Sequence, residues 1–328
     1  MKTKILSLMI AVVLPLSVQA TDIKPAIVYG TNTKSDKSFN KSVSDGVKRF
    51  SAETKIKVRK FEPSDDSQIE MAIRKMAERG ANPILLVSSD QKHALETVAE
   101  DFPNTRFSVI GTIVDRPNVR SITFREEQGA FLAGALAAMF SQTGKVGFIG
   151  GKDTPSTWKM ACAYEQGVEH INNDAEVYQN MIGSTDSAWD NPAIGNKLAK
   201  SQMDNGVDII FAAAGKSDTG IFQAAEENSK HVIATNINQN SLYPGTILAS
   251  MIKKVETAAY KTFKSSAEGT WSAGINSLGL AEGGIGLITD QHNEVLVTPY
   301  LQKIMAVEKA IIDENIIIHN YTANNRCH

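Results

Sequence analysis

The sequence lacks the features that mark several common classes of protein. Beyond the N-terminus, no apolar run approaches the roughly 18 residues of a membrane-spanning helix. Basic residues are not in excess, because 34 lysines and arginines stand against 36 aspartates and glutamates. A nucleic-acid-binding surface needs clustered basic residues. These absences favour a soluble protein without a nucleic-acid partner.

Recognisable catalytic motifs are also missing. The six histidines are scattered and show no metal-ligand spacing such as His-Glu-x-x-His. There is no Gly-x-Ser-x-Gly elbow and no Walker loop. Residues 144–147 resemble part of a phosphate loop but precede a strand-like run, and Gly150-Gly151 lacks the third glycine of a dinucleotide fingerprint. We therefore expect a binding protein rather than an enzyme, with no cofactor and no metal site.

The N-terminal segment differs from the rest of the chain because it is mainly apolar. Two lysines precede an apolar run over residues 5–18, which closes on Val-Gln-Ala at residues 18–20. This order of charge, short apolar segment and small-residue site is typical of a secretory signal. Residues 1–20 are predicted to be a signal peptide. Thr21 follows the expected cut, where a lipoprotein would have cysteine, so we expect a periplasmic protein without a lipid anchor.

The sequence contains two cysteines, Cys162 and Cys327. An exported protein can form disulfides. The sequence does not show whether these two residues meet, so one disulfide and two unpaired thiols are both compatible with it.

Strand-like and helical patterns alternate along the rest of the chain. A β-prone run at residues 26–29 is followed by a segment in which Val43, Val47 and Phe50 recur at helical spacing. A second series of the same kind begins after the small-residue helix predicted at residues 129–140. Such βαβ alternation predicts an α/β fold with two Rossmann-like lobes, each a parallel sheet covered by helices.

The loops after the predicted strands indicate where a ligand would bind. They are polar or contain glycine, as at residues 30–37 and 236–240. In open α/β sheets, ligands bind beyond the carboxyl ends of the strands, and two facing sheets form a hinged cleft between lobes. We expect crossings between the lobes near residues 125–130 and 240–250. The predicted N-terminal lobe is 21–126 plus about 247–277, and the C-terminal lobe is 127–246 plus about 278–328.

Two aromatic residues occupy matching loops in the two halves. Phe39 follows the first strand, where a helix begins, and Trp189 lies in a corresponding loop of the second half. A ring at this edge can stack on a flat ligand and contribute about 1 kcal/mol beyond burial. Phe39 can also pack inward, and Ser38 or Asn40 can cap the helix. Rings from facing lobes would clamp a planar ligand between them.

The chain resembles the basic membrane protein family along essentially its whole mature length. The signatures that carry this resemblance occur in order at residues 36–40 (DKSFN), 117–119, 131–134, 144–151, 206–208, 214–215 and 247–251. These proteins are substrate-binding components of ABC transporters with a type I periplasmic binding fold. The resemblance implies a small-molecule ligand and an ABC transporter permease in the inner membrane as partner. Well-understood relatives bind purine nucleosides.

The nucleoside pocket of those relatives can be carried over residue by residue. The aromatic residue that stacks on the base matches Phe39, the one in the facing lobe is similar in position to Trp189, and a further one corresponds to Phe211. The basic residue that reaches the sugar resembles Lys253, for which an exposed lysine at a helix start is the alternative. Trp158 is a further candidate for ring contact, with a surface or core position as the alternative.

Three family aspartates are absent from this sequence. Their positions are occupied by Gly30, by Gly111 and by Asn236 in the segment Thr-Asn-Ile-Asn-Gln. Replacing a carboxylate acceptor by an amide gives up a charge-assisted hydrogen bond worth about 1.5–3 kcal/mol, and glycine gives up the bond entirely. The ligand is therefore not expected to be recognised as nucleosides are. A free base, another heterocycle or an anionic ligand would each fit.

The leading hypothesis is that a monomer captures a planar ligand, such as a purine base or nucleoside, for ABC import. Asn40, Asn236 and Lys253 would supply directional hydrogen bonds beside the aromatic clamp. One alternative is a periplasmic sensor that presents its closed form to a membrane receptor. A less favoured alternative is a nucleoside hydrolase.

Overall fold

A computed structural model describes residues 23–30 and 39–327. The predicted signal peptide and the motif residues before Phe39 lie outside the described residues, and so does the side chain of Phe39. The described part of the chain forms two six-stranded sheets. Helices flank both of them, which confirms the predicted α/β fold with two lobes.

All neighbouring strands of the first sheet are parallel. Its strands are β1 (Ala26–Val28), β2 (Arg59–Phe61), β3 (Ile84–Leu86), β4 (Phe107–Ile110), β5 (Val119–Phe124) and β11 (Gly274–Leu278). They are ordered β11-β5-β4-β3-β1-β2. β1, β3 and β4 are buried along their whole length, as expected for apolar strands with helices on both faces.

The helices of the first lobe cover two separate apolar clusters on the faces of this sheet. They are α1 (Phe39–Thr54), α2 (Ile69–Glu78), α3 (Lys92–Asp101) and α8 (Val255–Ala267). α1 and α8 pack together, with the rings of Phe50 and Phe263 5.5 Å apart. Gly46 permits this approach, because a Cβ there would lie 2.1 Å from the carbonyl oxygen of Glu256.

The second sheet is parallel except at one edge, where β12 runs antiparallel to β10. Its strands are β6 (Lys145–Lys152), β7 (Glu176–Gly183), β8 (Ile209–Ala213), β9 (His231–Asn236), β10 (Ile247–Lys253) and β12 (Ile285–Ile288). They are ordered β12-β10-β9-β8-β6-β7. The flanking helices are α4 (Glu126–Phe140), α5 (Pro155–Ile171), α6 (Pro192–Asp204), α7 (Asp218–Glu227) and α9 (Glu294–Ile312).

Two glycines bring α4 and α5 into close contact. A Cβ at Gly134 of α4 would lie 2.0 Å from the Tyr164 carbonyl oxygen, and one at Gly167 of α5 would lie 2.1 Å from that of Phe131. The run of small and apolar residues in α4 is buried on nearly all sides. A helix that is apolar all round belongs in the interior, and α4 forms the centre of the second lobe.

The chain passes between the lobes at three places. Arg125 joins β5 to α4, Lys254 joins β10 to α8, and residues 279–284 join β11 to β12. Because β10 pairs with β9 in the second sheet, the prediction that the first lobe resumes at residue 247 is corrected to a crossing at Lys254. The apolar run of β10 resembles any buried strand, so its composition does not reveal which sheet it joins.

A disulfide joins Cys162 of α5 to Cys327, with their Cα atoms 4.7 Å apart. The sequence was compatible with one disulfide or with two unpaired thiols, and the structure shows the disulfide. The tail before Cys327 runs along α5, where the His319 backbone N–H donates to Gln166 Oε1 at 2.8 Å. The ring of Tyr321 stacks on that of Trp158, with centroids 6.2 Å apart. The tail is therefore fastened to the second lobe.

Candidate functional site

A cleft between the lobes contains two cavities of about 280 Å³ and 290 Å³. From the first lobe, the first cavity is lined by Ile110, Gly111, Thr123 and Phe124. The residues that line both cavities are Glu126, Ser156, Met160 and Lys253. Because the cavities share these residues, they form one continuous cleft at the carboxyl ends of the strands, where ligands bind in open α/β sheets.

The first turn of α5 forms one wall of this cleft. Thr154 caps the helix, with its hydroxyl accepting from the backbone N–H of Thr157 at 3.3 Å, and Pro155 occupies the first turn, where its missing N–H costs nothing. Ser156 and Met160 are four residues apart and therefore share a helix face. That face is turned into the cleft.

Trp189 lines the second cavity. It lies half-buried in the 3-10 turn Asp186–Asp190. A Cβ at Gly151 would lie 2.2 Å from the ring carbon Cε3 of Trp189, and one at Gly215 would lie 3.2 Å from its carbonyl oxygen. Gly151, near the end of β6, thus provides the space that the ring of Trp189 occupies.

Lys253 ends β10 and is paired with an acid at the start of α4. Its Nζ lies 2.9 Å from Glu126 Oε1, and each side chain is 25% exposed. A second pair, Lys159 with Glu127 at 2.9 Å, lies beside it. Partial burial strengthens these pairs relative to surface salt bridges. Lys253 is therefore a partly buried, ion-paired residue that lines both cavities, and its role in ligand binding stays a prediction.

The two glutamates of these pairs were missed in the sequence. Acidic residues in the first turn of a helix are common because they complement the helix dipole. Glu126 and Glu127 are ordinary by that criterion, and only the packing of α4 against β10 and α5 turns them toward the cleft.

Asn236 closes β9 and also lines the second cavity. Its φ of 72° lies in the left-handed region, which asparagine tolerates better than most residues. Its Nδ2 donates to Thr235 Oγ1 at 3.4 Å. The loop that follows is anchored, since the Gln239 N–H donates to Ser250 Oγ at 3.0 Å. The amide is therefore presented to the cleft from a fixed backbone.

Asp218 is a buried acid directly behind this wall, and it was not identified in the sequence. Its side chain is 1% exposed, and Oδ1 accepts from the Ala214 backbone N–H at 2.7 Å. Burial, as the largest cause, raises its pKa to about 7, while bonds with Ala214 and Thr235 lower it. The polar loop around it is typical of a helix start, so burial alone distinguishes this carboxyl group.

Three further residues predicted for the site, Gly30, Asn40 and Gly111, differ in their positions relative to the cleft. Gly111 lines the first cavity, with a φ of 91° that strongly favours glycine. Gly30 is buried after β1, where a Cβ would lie 3.0 Å from that of Ser88. Asn40 lies half-buried in the first turn of α1. Among the described residues that line the two cavities, neither Gly30 nor Asn40 is found.

Phe211 lies in the core rather than in the cleft. It is fully buried in β8, and its ring centroid lies 5.4 Å from that of Tyr164 and 5.7 Å from that of Phe148. Successive side chains of a strand point to opposite faces, and Phe211 points to the face that α4 and α5 cover. Its assignment as a ligand residue is therefore corrected to a core position.

Trp158 is held against the C-terminal tail. Its Nε1 donates to Asp153 Oδ1 at 2.7 Å, and its ring stacks on Tyr321. These contacts favour the alternative interpretation of Trp158 as a structural residue on the surface of the lobe.

Residues 24–322 match the profile of a family described as ABC transporter substrate-binding protein PnrA-like. The chain belongs to this family. Basic membrane protein A1 of Borrelia garinii subsp. bavariensis is 30% identical over 296 residues, which cover 87% of this chain and 85% of the relative. The crystal structure of an ABC transporter solute-binding protein from Aeropyrum pernix matches with a TM-score of 0.71 at 25% identity, covering 91% of this chain and 93% of that one. The predicted family and the type I periplasmic binding fold are confirmed.

Members of the PnrA-like family are substrate-binding rather than catalytic proteins, and ABC importers use them outside the cytoplasmic membrane. In the described part of this chain, no helix is both long and apolar enough to span a membrane. A Pyrococcus horikoshii relative, 26% identical over 82% of this chain and 69% of its own length, is named a lipoprotein. The predicted absence of a lipid anchor thus has no support from the relatives.

Proposed function

We propose that this PnrA-like protein captures a small planar ligand in the interlobe cleft and delivers it to an ABC transporter permease. The ligand class is a purine base, a nucleoside or a related heterocycle. The observation that carries the proposal is the convergence of Trp189, Asn236 and Lys253 on the second cavity, next to the first cavity, which Gly111 lines from the facing lobe.

The dimensions of the cleft support a ligand of this size. Small-molecule sites are commonly about 300–1,000 Å³. The cavities, of about 280 Å³ and 290 Å³, are each slightly smaller than this range, and together they form one continuous space. A ring stacked on Trp189 would occupy the second cavity, and a substituent would extend into the first.

The polar groups support a neutral or hydroxyl-bearing ligand. At the first lobe, Gly30 and Gly111 supply no side-chain carboxylate. Asn236 offers both a donor and an acceptor, and the Lys253–Glu126 pair at 2.9 Å presents both a donor and an acceptor to ligand hydroxyl groups. Recognition would therefore depend on an amide and an ion pair rather than on isolated acids.

Hinge contacts support closure of the cleft upon binding. The Arg125 backbone N–H donates to the Leu278 carbonyl at 3.0 Å, and the Lys254 N–H donates to that of Gly284 at 2.8 Å. The three crossings are thereby bonded to one another and form a short axis about which the lobes can rotate.

Isothermal titration with adenosine, inosine, guanosine and hypoxanthine tests this proposal. We expect one-to-one binding of at least one of them, weakened about 10- to 100-fold by Trp189→Ala and by Lys253→Met. Trp158→Ala is the matched control, since it removes an indole outside the cleft and should leave affinity unchanged. Equal affinity in Trp189→Ala would refute the clamp, and release of free base from a nucleoside would instead indicate a hydrolase.

We further propose that the mature protein begins at Thr21 in the periplasm without a lipid. N-terminal sequencing of protein recovered from the periplasm should begin at Thr21, and mass spectrometry of its N-terminal peptide should show no acyl group. A mass increased by an acyl group, or retention of residues 1–20, would contradict this proposal.

A further inference from the structure

Two ion pairs balance the charge of the first cavity of the cleft. Among the described residues that line it, the charged side chains are Glu126, Glu127, Lys159 and Lys253. Lys253 Nζ lies 2.9 Å from Glu126 Oε1, and Lys159 Nζ lies 2.9 Å from Glu127 Oε2. Each lysine therefore has a carboxylate partner within the protein before a ligand enters.

Both pairs are partly shielded from water. The side chains of Glu126 and Lys253 are each 25% exposed, that of Glu127 is 16% exposed and that of Lys159 is 29% exposed. Oε2 of Glu127 is itself buried and accepts no hydrogen bond from the described residues, so its contact with Lys159 is an ion pair held by charge and distance. An unpaired charge in such surroundings is costly. The two glutamates and the two lysines therefore depend on one another.

Without the two glutamates, the first cavity would attract anions. It is bordered by the first turns of α4 and α5, through Glu126 and Ser156. The amino-terminal end of a helix carries partial positive charge, and the two lysines would add two full charges. A phosphate or a carboxylate group would suit such a field. The carboxylates of Glu126 and Glu127 supply the negative charge from within the protein instead.

We propose that Glu126 and Glu127 are specificity-determining residues that exclude anionic ligands, so that the ligand places a neutral, hydroxyl-bearing substituent in the first cavity. A phosphate there would displace a glutamate from its lysine and would then lie beside that carboxylate. Like charges in a partly buried site repel strongly, and an interface can use such repulsion to reject a wrong ligand. This inference rests on the proposed binding of a planar ligand beside Trp189.

A hydroxyl group is compatible with both ion pairs. An ammonium group has three donor positions and a carboxylate has about four acceptor positions. A ligand hydroxyl can therefore accept from a lysine and donate to a glutamate while each pair stays intact. With the ring in the second cavity, a sugar would be accepted in the first cavity and a sugar phosphate would be rejected. The anionic ligand that the sequence allows is thereby disfavoured.

The first test uses inorganic phosphate as the probe and needs no nucleoside. Thermal unfolding of protein recovered from the periplasm is followed in sodium phosphate and in sodium chloride of equal ionic strength. We expect no phosphate-specific rise of the Tm in the wild type. Glu126→Gln/Glu127→Gln releases both lysines and should show a rise that saturates with phosphate concentration, as expected of a bound ligand.

Two further double variants are matched controls for this test. Glu176→Gln/Glu227→Gln makes the same change in net charge by breaking two ion pairs of the second lobe outside the described lining of the cleft. Glu126→Gln/Lys253→Met removes one whole pair and adds no excess positive charge to the cavity. Both should respond to phosphate as the wild type does.

Each outcome of the phosphate test is decisive. Saturable binding by the wild type, or its absence from folded Glu126→Gln/Glu127→Gln, overturns the inference. If that double variant does not fold, Glu126→Gln alone releases only Lys253 and should still show a saturable rise at higher phosphate concentrations. A folded single variant that ignores phosphate overturns the inference in the same way.

The second test compares adenosine and inosine with their 5′-monophosphates by isothermal titration. We expect the wild type to bind each nucleoside at least about 100-fold more tightly than its monophosphate, because the phosphate meets a like charge. In Glu126→Gln/Glu127→Gln this preference should fall below about tenfold. A wild type that binds both forms alike overturns the inference. Failure of all four compounds to bind the wild type refutes a nucleoside cargo, and the phosphate test still decides the role of the two glutamates.

Discussion

The two lobes share one architecture but contribute unequally to the cleft. The first lobe supplies mainly backbone and apolar groups, among them Ile110, Gly111 and Phe124. The second lobe supplies Trp189, Thr235 and the other polar side chains, as well as the ion-paired residues at the start of α4. Under the proposed function, the second lobe would select the ligand, and the described part of the first lobe would cover it.

The lobes also differ in how they are held together. The second lobe has an additional covalent link, since Cys162 and Cys327 join its helix α5 to the C-terminal tail. In the described part of the first lobe, non-covalent packing such as that of α1 on α8 provides the stability. The lobe that supplies most polar side chains to the cleft therefore also carries the covalent constraint, and such a constraint would preserve the geometry of the proposed binding site.

The largest effect is expected from Phe211→Ala. Removing a fully buried ring between Tyr164 and Phe148 should lower the free energy of unfolding by about 3–5 kcal/mol. Urea denaturation measures this, and ligand affinity of the fraction that remains folded should be unchanged. A large loss of affinity with little loss of stability would show that Phe211 contacts the ligand and does not act only as a core residue.

Loss of the disulfide should have the next largest effect. Replacing both Cys162 and Cys327 by serine should destabilise the protein by about 2–4 kcal/mol, since the link limits the unfolded chain. Hydrogen exchange should accelerate in α5 and the tail, and α1 to α3 should remain unchanged. If hydrogen exchange accelerated equally in both lobes, the disulfide would not stabilise the second lobe selectively.

The Asp218→Asn substitution should change how stability depends on pH. The folded pKa of Asp218 is raised from 3.8 to about 7, so its favourable contribution is present below pH 3.8 and is lost as the pH rises through about 7. Relative to the variant, the wild type should lose about 3 kcal/mol between pH 5 and pH 8. Denaturation at both values measures this, and a constant difference between the two proteins would show that Asp218 does not titrate in this range.

The smallest effect is expected from restoring a family aspartate at Gly111. The φ of 91° at this position disfavours any side chain, so Gly111→Asp should cost about 1 kcal/mol of stability. Affinity for guanosine should not improve, because strain displaces the new carboxylate from the cleft. Tighter binding with unchanged stability would show that the first lobe can also select the ligand.

Part of the site could be predicted because its residues have local signals. Trp189 follows a strand in a loop with few other apolar residues, Asn236 is the last residue of β9, and Gly111 directly follows β4. The carboxyl ends of parallel strands meet at one edge, so these positions follow from the alternation of strands and helices. Glu126 and Asp218 have no such signal, because acidic residues are common at any helix start.

The aromatic residues Phe211 and Trp189 also show that the sequence does not predict which side chains are buried in the core. Phe211 lies in β8 and Trp189 lies in the loop after β7, and the first is fully buried whereas the second lines a cavity. Which face of β8 is turned toward α4 and α5 depends on sheet order and helix packing. Both faces of β8 are buried, with Phe211 in one apolar cluster and Ile210 and Ala212 in another, so only a residue at the end of a strand or in the loop after it reaches the cleft.

The sequence by itself determined the fold class and the family, because hydrophobic periodicity and ordered signatures are local properties of the chain. Only the tertiary structure decided that β10 belongs to the second sheet, that Cys162 meets Cys327, and that Asp218 lies buried behind Thr235. Each of these depends on contacts between residues far apart in sequence. Burial and pairing over such distances are set by the packing of whole elements, which no short segment encodes.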